Sequence, residues 1–290
     1  MPRYLSQTMI RPLILFCLLV VTSSLQAQVP DRASYKSPYS IKLSFDVKDL
    51  VGDLYQGKRA DPKQQSSADY KDWYDAANQR RWTYWGPPSR HYPAPAGLNE
   101  KKAQWKRERV IAAGMTMVGK GYQHHHIPDW DPPAEWPSEP NKKRPVAKGL
   151  DCSNFVAFAY NLALGFKLPS AVGTLGAMTE APGPGEGKTT PVQRIELPTD
   201  YAAFPKLLRT GDILCMKNKD GDITHAVLWV GDMGKSPKDE PLVLDSTGDS
   251  GIDANGTQIP DGIYLRAFRT TGFYFKQASH AIRVIPDDAK

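Results

Sequence analysis

The chain has 290 residues, of which 40% are hydrophobic and 23% are charged, and its formal net charge is +6. A charge this close to balance, without a basic stripe or a nucleic-acid-binding motif, excludes nucleic acid as the expected partner. The mild positive charge suits an acidic, carboxylate-rich partner, although it does not by itself indicate binding.

Residues 1–27 have the organisation of a secretory signal peptide. Arg3 and Arg11 precede an apolar run at 13–21, and small residues lead to a cleavage position after Ala27. A membrane anchor is the alternative, but the apolar run is too short to span a bilayer. We therefore predict an exported protein, periplasmic or secreted, whose mature form has no membrane span and a formal net charge of +4.

Residues 28–104 are predicted to form an N-terminal extension rich in aromatic residues and proline. Within it, 40–47 alternates apolar and polar residues, which predicts a half-buried strand. A dense set of aromatic residues follows: Trp73, Tyr74, Trp82, Tyr84, Trp85 and Tyr92. Such density is unusual for a disordered segment. We expect these rings to pack the extension onto the domain at 105–290, and the alternative is that some of them line a binding groove.

A run of three histidines, His124 to His126, follows Tyr122. Three consecutive side chains cannot easily converge on one ion, and no cysteine pair or His-x-x-x-His spacing accompanies them, so we predict no metal site. One of the histidines is expected to line a cleft beside Tyr122, whose hydroxyl could donate to an oxyanion. The alternative is a loop whose imidazoles bond to the backbone.

The segment 149–156 places a cysteine at the start of a helix. Asp151 is a good N-cap, and apolar residues recur at helical spacing from Phe155, so Cys152 falls in the first turn. The unpaired N–H groups and the positive end of the helix dipole favour a thiolate, the nucleophilic form of cysteine, although the charge of Asp151 opposes this. The alternative is an inert cysteine buried under the helix.

A long insertion follows this helix at 170–198. Its centre, Pro-Gly-Pro-Gly-Glu-Gly at 182–187, is incompatible with regular structure. We therefore predict a mobile surface loop, of the kind that often borders a cleft.

Three β-rich runs come next, at 212–216, 223–230 and 242–246, and an Asp-Gly turn joins the first two. Cys215 lies inside the first of these predicted strands. We expect a buried free thiol there, and a disulfide with Cys152 is the alternative.

His225 lies near the start of the second strand, on the face that also carries Val227 and Trp229. An imidazole on a packed face needs a partner, and an antiparallel neighbour could bring Asp245 beside it. A thiol, an imidazole and an orienting acceptor are what nucleophilic acyl transfer requires. We predict that Cys152 attacks, His225 exchanges the proton and Asp245 fixes the imidazole tautomer.

The C-terminal part supplies further predicted strands at 262–268 and 281–285. Between the third strand and these, 246–256 is polar and glycine-rich, and its acidic spacing does not match a calcium loop. His280 is predicted to lie on the surface just before the last strand, as a reserve partner for His225.

Four elements in this order resemble the NlpC-type cell-wall endopeptidases, a family of papain-like cysteine peptidases. They are Asp151-Cys152-Ser153, Gly211-Asp212-Ile213, Thr224-His225-Ala226-Val227 and the polar residue on the next strand, Asp245. The resemblance covers 105–290 and extends to a leading helix at 110–115 with Tyr122 after it. It implies an α+β fold, papain-like, with the N-terminal cysteine helix packed on an antiparallel β-sheet.

The resemblance implies an exported cysteine hydrolase, a thiol protease that cleaves peptide bonds of peptidoglycan stem peptides, commonly between D-glutamate and the diamino acid. It further implies that the Cys152 N–H and Tyr122 stabilise the oxyanion and that Asp151 and Ser153 hold a substrate amine. Peptidoglycan or its fragments is the expected partner, and we expect no cofactor and a monomer. The alternatives are a wall amidase, an acyl hydrolase on the same scaffold, or a non-catalytic wall-binding protein.

Two features depart from the family pattern. The third polar residue is usually histidine, sometimes asparagine or glutamine, and here it is Asp245. An aspartate can also orient an imidazole and raises its basicity. Relatives typically carry a Trp-Gly-Gly type of loop where this chain has 122–130.

Overall fold

The computed structural model describes residues 31–137, 147–184 and 187–288. The predicted signal peptide at 1–27 lies outside these residues. Among the helices of the described residues, none has the length and apolar character needed to cross a membrane.

The described residues form an α+β fold. The helices are α1 (Val47–Val51), α2 (Gly57–Ala60), α3 (Ala76–Trp82), α4 (Ala103–Met115), α5 (Cys152–Leu164), α6 (Val172–Ala177), α7 (Phe204–Leu207) and α8 (Phe273–Lys276). The strands are β1 (Glu180–Pro182), β2 (Thr189–Pro191), β3 (Gln193–Glu196), β4 (Ile213–Lys217), β5 (Ile223–Trp229), β6 (Leu242–Thr247), β7 (Gly251–Ile252), β8 (Gln258–Ile259), β9 (Gly262–Ala267) and β10 (Ala278–Arg283).

The central sheet is antiparallel, with the strand order β3-β10-β4-β5-β6-β9. Two small hairpins, β1-β2 and β7-β8, stand apart from it. The predicted Asp-Gly turn joins β4 to β5. The Asn218 side chain accepts from the N–H of Asp220, and Gly221 lies in the left-handed region at φ +91°. The three strands predicted from the β-rich runs are therefore adjacent.

Period-two alternation divides the buried residues of this sheet between two faces. Ala226, Leu228 and Leu244 pack in the same cluster as the side chains of α5, whose residues are all buried. Val227 and Trp229 pack on the opposite face with aromatic residues such as Phe204 and Phe268. The predicted arrangement, a cysteine helix on an antiparallel sheet, is confirmed.

The extension packs against the rest of the chain and contributes to the same core. Trp73, Trp82 and Tyr92 are buried in the cluster that contains α5. On α4, the buried guanidinium of Arg109 donates to both carboxylate oxygens of Asp53 at 2.7 Å. Because α4 begins at Ala103, the predicted domain boundary between residues 104 and 105 falls in the first turn of a helix.

The strand predicted at 40–47 is wrong. No strand partner is recorded for it among the described residues: the N–H of Lys42 donates to the carbonyl of Met233, that of Ser44 donates to the Glu108 side chain, and α1 begins at Val47. Its alternation has another origin: Ile41, Leu43 and Phe45 pack against the core. One buried side of an extended segment gives the same pattern as a paired strand.

The mobile loop predicted at 170–198 is also wrong for most of its length. The described part contains α6 and the strands β1, β2 and β3. Short strands flanked by proline and glycine give little sequence signal, and β3 is fixed by pairing with β10, about 85 residues further along the chain. Residues 185–186, in the glycine-rich centre, lie outside the described residues.

His280 is not on the surface, as predicted, because β10 begins at Ala278 and includes it. Its side chain is buried, with Nε2 2.7 Å from the carbonyl oxygen of Gly176. Burial lowers the pKa of His280. Its contacts hold it against α6, so it is not a reserve partner for His225.

Candidate active site

The predicted nucleophile is the first residue of α5. Asp151 caps the helix by accepting from the N–H of Asn154 at 2.8 Å. Just before the cap, Gly149 has φ +151°, and a Cβ there would lie 1.9 Å from the carbonyl oxygen of Gly121. Only glycine permits this approach, which brings the segment containing Tyr122 beside the start of the helix.

His225 and Asp245 meet where β5 and β6 stop pairing. In the described residues the two strands pair only at Leu228↔Leu244 and Trp229↔Val243. Beyond these pairs, Nε2 of His225 donates to Oδ1 of Asp245 at 2.9 Å. The start of α5 reaches the same place, because the hydroxyl of Ser246 donates to the carbonyl of Leu150 at 2.6 Å.

Cys152 completes the cluster, because its thiol lies close enough to His225 to help raise the pKa of that imidazole. Since Nε2 of the imidazole is bonded to Asp245, Nδ1 is the ring nitrogen left for the thiol. The structure therefore brings together the thiol, imidazole and carboxylate that the sequence pattern selected. All three residues are buried, with Cys152 5%, His225 9% and Asp245 0% exposed.

The electrostatics of the cluster favour a charged imidazole. Burial opposes the charge of His225, but the attraction and hydrogen bond of Asp245, together with Cys152, hold the pKa of His225 well above its usual value. Burial would likewise raise the pKa of Asp245, and the charge and hydrogen bond of His225 bring it below the usual value instead. A buried imidazolium is the neighbour that favours a cysteine thiolate.

Cys215 contrasts with Cys152. It is free and fully buried in β4, so the alternative of a disulfide between the two cysteines is not what the structure contains. Burial raises the pKa of the Cys215 thiol to about 12. The predicted buried thiol is confirmed, and Cys215 has no environment that would make it a nucleophile.

Asp151 and Ser153, predicted to hold a substrate amine, are occupied by local bonds. The two oxygens of Asp151 accept from the backbone and side-chain amides of Asn154, and the Ser153 hydroxyl donates to the carbonyl of Ser170 at 2.6 Å. Nδ1 of His124 lies 3.8 Å from Asp151. Their predicted role toward a substrate stays a prediction.

The three histidines after Tyr122 have different surroundings. His124 contacts the Tyr122 ring edge-on, at 5.6 Å between centroids. His126 is near Asn154 of α5, with Nδ1 3.4 Å from its side-chain oxygen. His125 points inward against Trp130, and burial lowers the pKa of His125 to about 3. In the part of the chain that the structure describes, no group of three potential ligands is placed to hold a metal ion.

Several residues at the site were missed by sequence reasoning. Tyr274 on α8 donates to Oδ2 of Asp245 at 2.6 Å, and the neighbouring Phe273 packs edge-on against His225 at 5.7 Å. From the extension, Trp85 stacks on His126, with centroids 5.5 Å apart and an interplanar angle of 18°. The aromatic run at 273–275 was the available signal for the first two, but nothing local relates it to β5 or β6.

A pocket of about 320 Å³ adjoins the cluster on the side of His225. Its wall includes His225, Asp245, Thr247, Asp249, Ile252, Ile259, Arg266, Arg269, Phe273 and Tyr274. Ile252 and Phe273 are each about half exposed, 52% and 51%. The pocket therefore offers an apolar wall and charged groups next to the imidazole.

No family model matches the chain, and no curated protein matches it. Solved structures do. The chain is similar to NlpC/P60 structures. An NlpC/P60 family protein from Bacillus cereus is 16% identical with a TM-score of 0.37, over 67% of this chain and 42% of that one.

Two further structures are similar at the same level. The NlpC/p60 domain of the peptidoglycan hydrolase SagA is 12% identical with a TM-score of 0.34, over 61% of this chain and 98% of that one. The peptidoglycan hydrolase RipB from Mycobacterium tuberculosis is 18% identical with a TM-score of 0.36, over 67% of this chain and 74% of that one. Because these TM-scores are below 0.5, we base the site and its chemistry on this chain's own geometry.

Proposed function

We propose that this protein is an exported cysteine hydrolase that cleaves peptide bonds in peptidoglycan stem peptides. The observation that carries the hydrolase assignment is the buried cluster in which His225 bonds to Asp245 and adjoins Cys152 at the start of α5. The substrate class rests on the resemblance of the four motifs to cell-wall endopeptidases. The bond between D-glutamate and the diamino acid is the cleavage position that this resemblance favours.

The first half of the reaction transfers the acyl group to sulfur. The Cys152 thiolate attacks the scissile carbonyl carbon, and the carbonyl oxygen takes up the negative charge. His225, as imidazolium, then gives its Nδ1 proton to the amine nitrogen, so the C–N bond breaks and the amine leaves. A thioester on Cys152 and a neutral imidazole remain.

The second half restores the enzyme. The neutral His225 removes a proton from water, and the resulting hydroxide attacks the thioester carbon. The C–S bond breaks, which releases a carboxylic acid that loses its proton to solvent, and the thiolate and the imidazolium are restored. Throughout both halves Asp245 keeps the ring oriented with Nδ1 toward sulfur.

We propose the N–H of Cys152 and the Tyr122 hydroxyl as donors to the oxyanion. The side chain of Asp151 accepts from the N–H of Asn154, and its carbonyl accepts from the N–H of Phe155. The N–H of Cys152 has no acceptor among the described residues. An N–H at a helix start that is not used by the cap is available to a developing negative charge. Tyr122 is placed beside this start by the contact between Gly121 and Gly149.

The test is digestion of purified peptidoglycan followed by mass spectrometry of the released fragments. The wild-type protein is expected to release peptides cut after D-glutamate, and Cys152→Ala is expected to release none. Cys215→Ala is the matched control, since it removes the other free cysteine of the described residues and keeps Cys152, His225 and Asp245. Release of whole stem peptides from the glycan would instead assign an amidase, and no release by the wild-type protein would refute hydrolysis of the wall.

A second measurement tests the nucleophile without a substrate. Iodoacetamide at pH 7 is expected to label Cys152 much faster than Cys215, because only Cys152 has an imidazolium beside it. Equal labelling of the two cysteines would contradict the proposed role of Cys152.

A further inference from the structure

Asp245 is a carboxylate with no access to solvent, and among the described residues each of its oxygens has one hydrogen-bond partner. Oδ1 accepts from Nε2 of His225 at 2.9 Å, and Oδ2 accepts from the hydroxyl of Tyr274 at 2.6 Å. A buried charged oxygen without a donor is costly, so both bonds matter for keeping Asp245 ionised in this position.

Helix α8 places Tyr274 beside His225. It lies on α8, in the connection between β9 and β10, and its ring stacks on His225 with centroids 6.5 Å apart at 29°. Burial, followed by the charge of Asp245, raises the pKa of Tyr274 well above its usual value. The phenol therefore stays protonated and can only donate toward the carboxylate.

Arg266 also stabilises the charge of Asp245, and within the described residues no hydrogen bond joins the two side chains. Among the described residues its guanidinium donates to the carbonyl of Pro260. Tyr274 is consequently the donor that fixes which way the Asp245 carboxylate faces.

We propose that Tyr274 is a positioning residue: its hydroxyl holds the Asp245 carboxylate ionised and turned so that Oδ1 meets His225. This role rests on the proposed function, in which Cys152, His225 and Asp245 form the catalytic cluster. A neutral residue at the position of Asp245 would carry no buried charge, whereas the buried charge of an aspartate has to be stabilised by a hydrogen-bond donor. Tyr274 is the group that makes an aspartate workable there.

The test is the titration of His225, followed by NMR in protein labelled at histidine nitrogen, in the wild type and in Tyr274→Phe. Without the hydroxyl the carboxylate is free to rotate and is less readily ionised, so its support of the imidazolium weakens. We expect the pKa of His225 to fall by roughly one unit and hydrolysis of wall peptides at neutral pH to fall roughly tenfold.

Tyr201→Phe is the matched control. Its hydroxyl also makes a 2.6 Å bond on the same face of the sheet, but to the backbone carbonyl of Phe268. It is expected to change the melting temperature about as much as Tyr274→Phe and to leave the His225 titration unchanged. If both variants give the wild-type His225 titration, the positioning role is refuted.

A double-mutant cycle separates the carboxylate from general packing. In an Asp245→Asn background there is no charge for Tyr274 to hold, so Tyr274→Phe should have a much smaller effect on the His225 titration. Additive effects would refute the proposal. Because these titrations need no substrate, they can fail or succeed independently of the peptidoglycan digestion, which alone decides the proposed function.

Discussion

The pKa values of two buried histidines, His225 and His125, shift in opposite directions. Both are buried, but His225 faces the carboxylate of Asp245, and its pKa is raised well above the usual value. His125 faces the Trp130 ring and two neighbouring histidines, and its pKa is lowered to about 3, mainly by burial. The first is poised to carry charge at neutral pH, and the second is held neutral.

We predict that His125 makes the protein sensitive to acid. In the unfolded chain a histidine binds a proton near pH 6.5, whereas folded His125 binds one only near pH 3, so the unfolded state gains protons first as the pH falls. The contribution of neutral His125 to the free energy of unfolding is therefore fully present above pH 6.5, and it is lost as the pH falls toward 3. Between pH 7 and pH 5 the loss amounts to about 2 kcal/mol.

His125→Leu has no imidazole to protonate and should not show this loss. On going from pH 7 to pH 5, the free energy of unfolding of the variant should therefore rise by about 2 kcal/mol relative to that of the wild type. Urea unfolding at the two pH values measures it. Ile127→Val, at a fully buried neighbour that does not titrate, serves as the control and should cost about the same at both pH values. A His125→Leu penalty that is independent of pH would show the expectation to be wrong.

At the scale of elements, the site depends on how α5 begins. Asp151 holds the first turn through Asn154, and the Gly121–Gly149 contact sets the approach of the preceding segment. The helix end then meets β5 and β6 where their pairing stops. Three elements from separate parts of the chain thus converge on one thiol.

We predict that Asp151 acts first as a helix cap. Asparagine keeps an oxygen that can cap the N–H of Asn154 but loses the acceptor for its side-chain amide, so Asp151→Asn should lower the melting temperature less than Asp151→Ala, which loses the cap and should cost about 1 kcal/mol. The carboxylate is buried and both its oxygens accept from Asn154, so an unchanged KM for wall peptides in Asp151→Asn would show that capping is its role. A higher KM at unchanged stability would support contact with a substrate amine instead.

At the scale of the whole molecule, the extension and the domain that carries the site share a core. Trp73, Trp82 and Tyr92 are buried with the side chains of α5, and Arg32 forms an ion pair with Asp261 at 2.8 Å. Trp85 brings the extension to the edge of the site by stacking on His126. Removing 31–97 would therefore expose the apolar side of α5 as well as the extension's own contacts.

We predict that Asp53 stabilises the domain across this contact. Arg109 is almost wholly buried and relies on Asp53 for its charge partner, so Asp53→Asn leaves a buried guanidinium without its carboxylate. The cost for a fully buried pair is about 3 to 5 kcal/mol, and we expect about 2 kcal/mol because the Asp53 side chain is 43% exposed.

Glu196→Gln provides the comparison, since it breaks an exposed pair with Arg194 and should leave the melting temperature close to that of the wild type. Thermal unfolding of the two variants beside the wild type gives the answer. Equal melting temperatures for all three proteins would mean that the extension is not held through Asp53.

The sequence alone determined the features whose signals are local. The Asp151 cap, the start of α5, the turn between β4 and β5 and the residue types of the cluster all follow from spacings of a few residues, which is the range of capping, turn and alternation rules. The predicted burial of Cys215 follows in the same way, from its place in a strand.

Only the tertiary structure decided which distant segments meet. Tyr274 reaches Asp245 across 29 residues, and Arg109 reaches Asp53 across 56, and no local pattern in the chain relates either pair. The same holds for the burial of His280 and for β3, which exists through its pairing with β10. Such contacts depend on how whole elements pack, because a short strand or a single buried charge is stable only beside its partner.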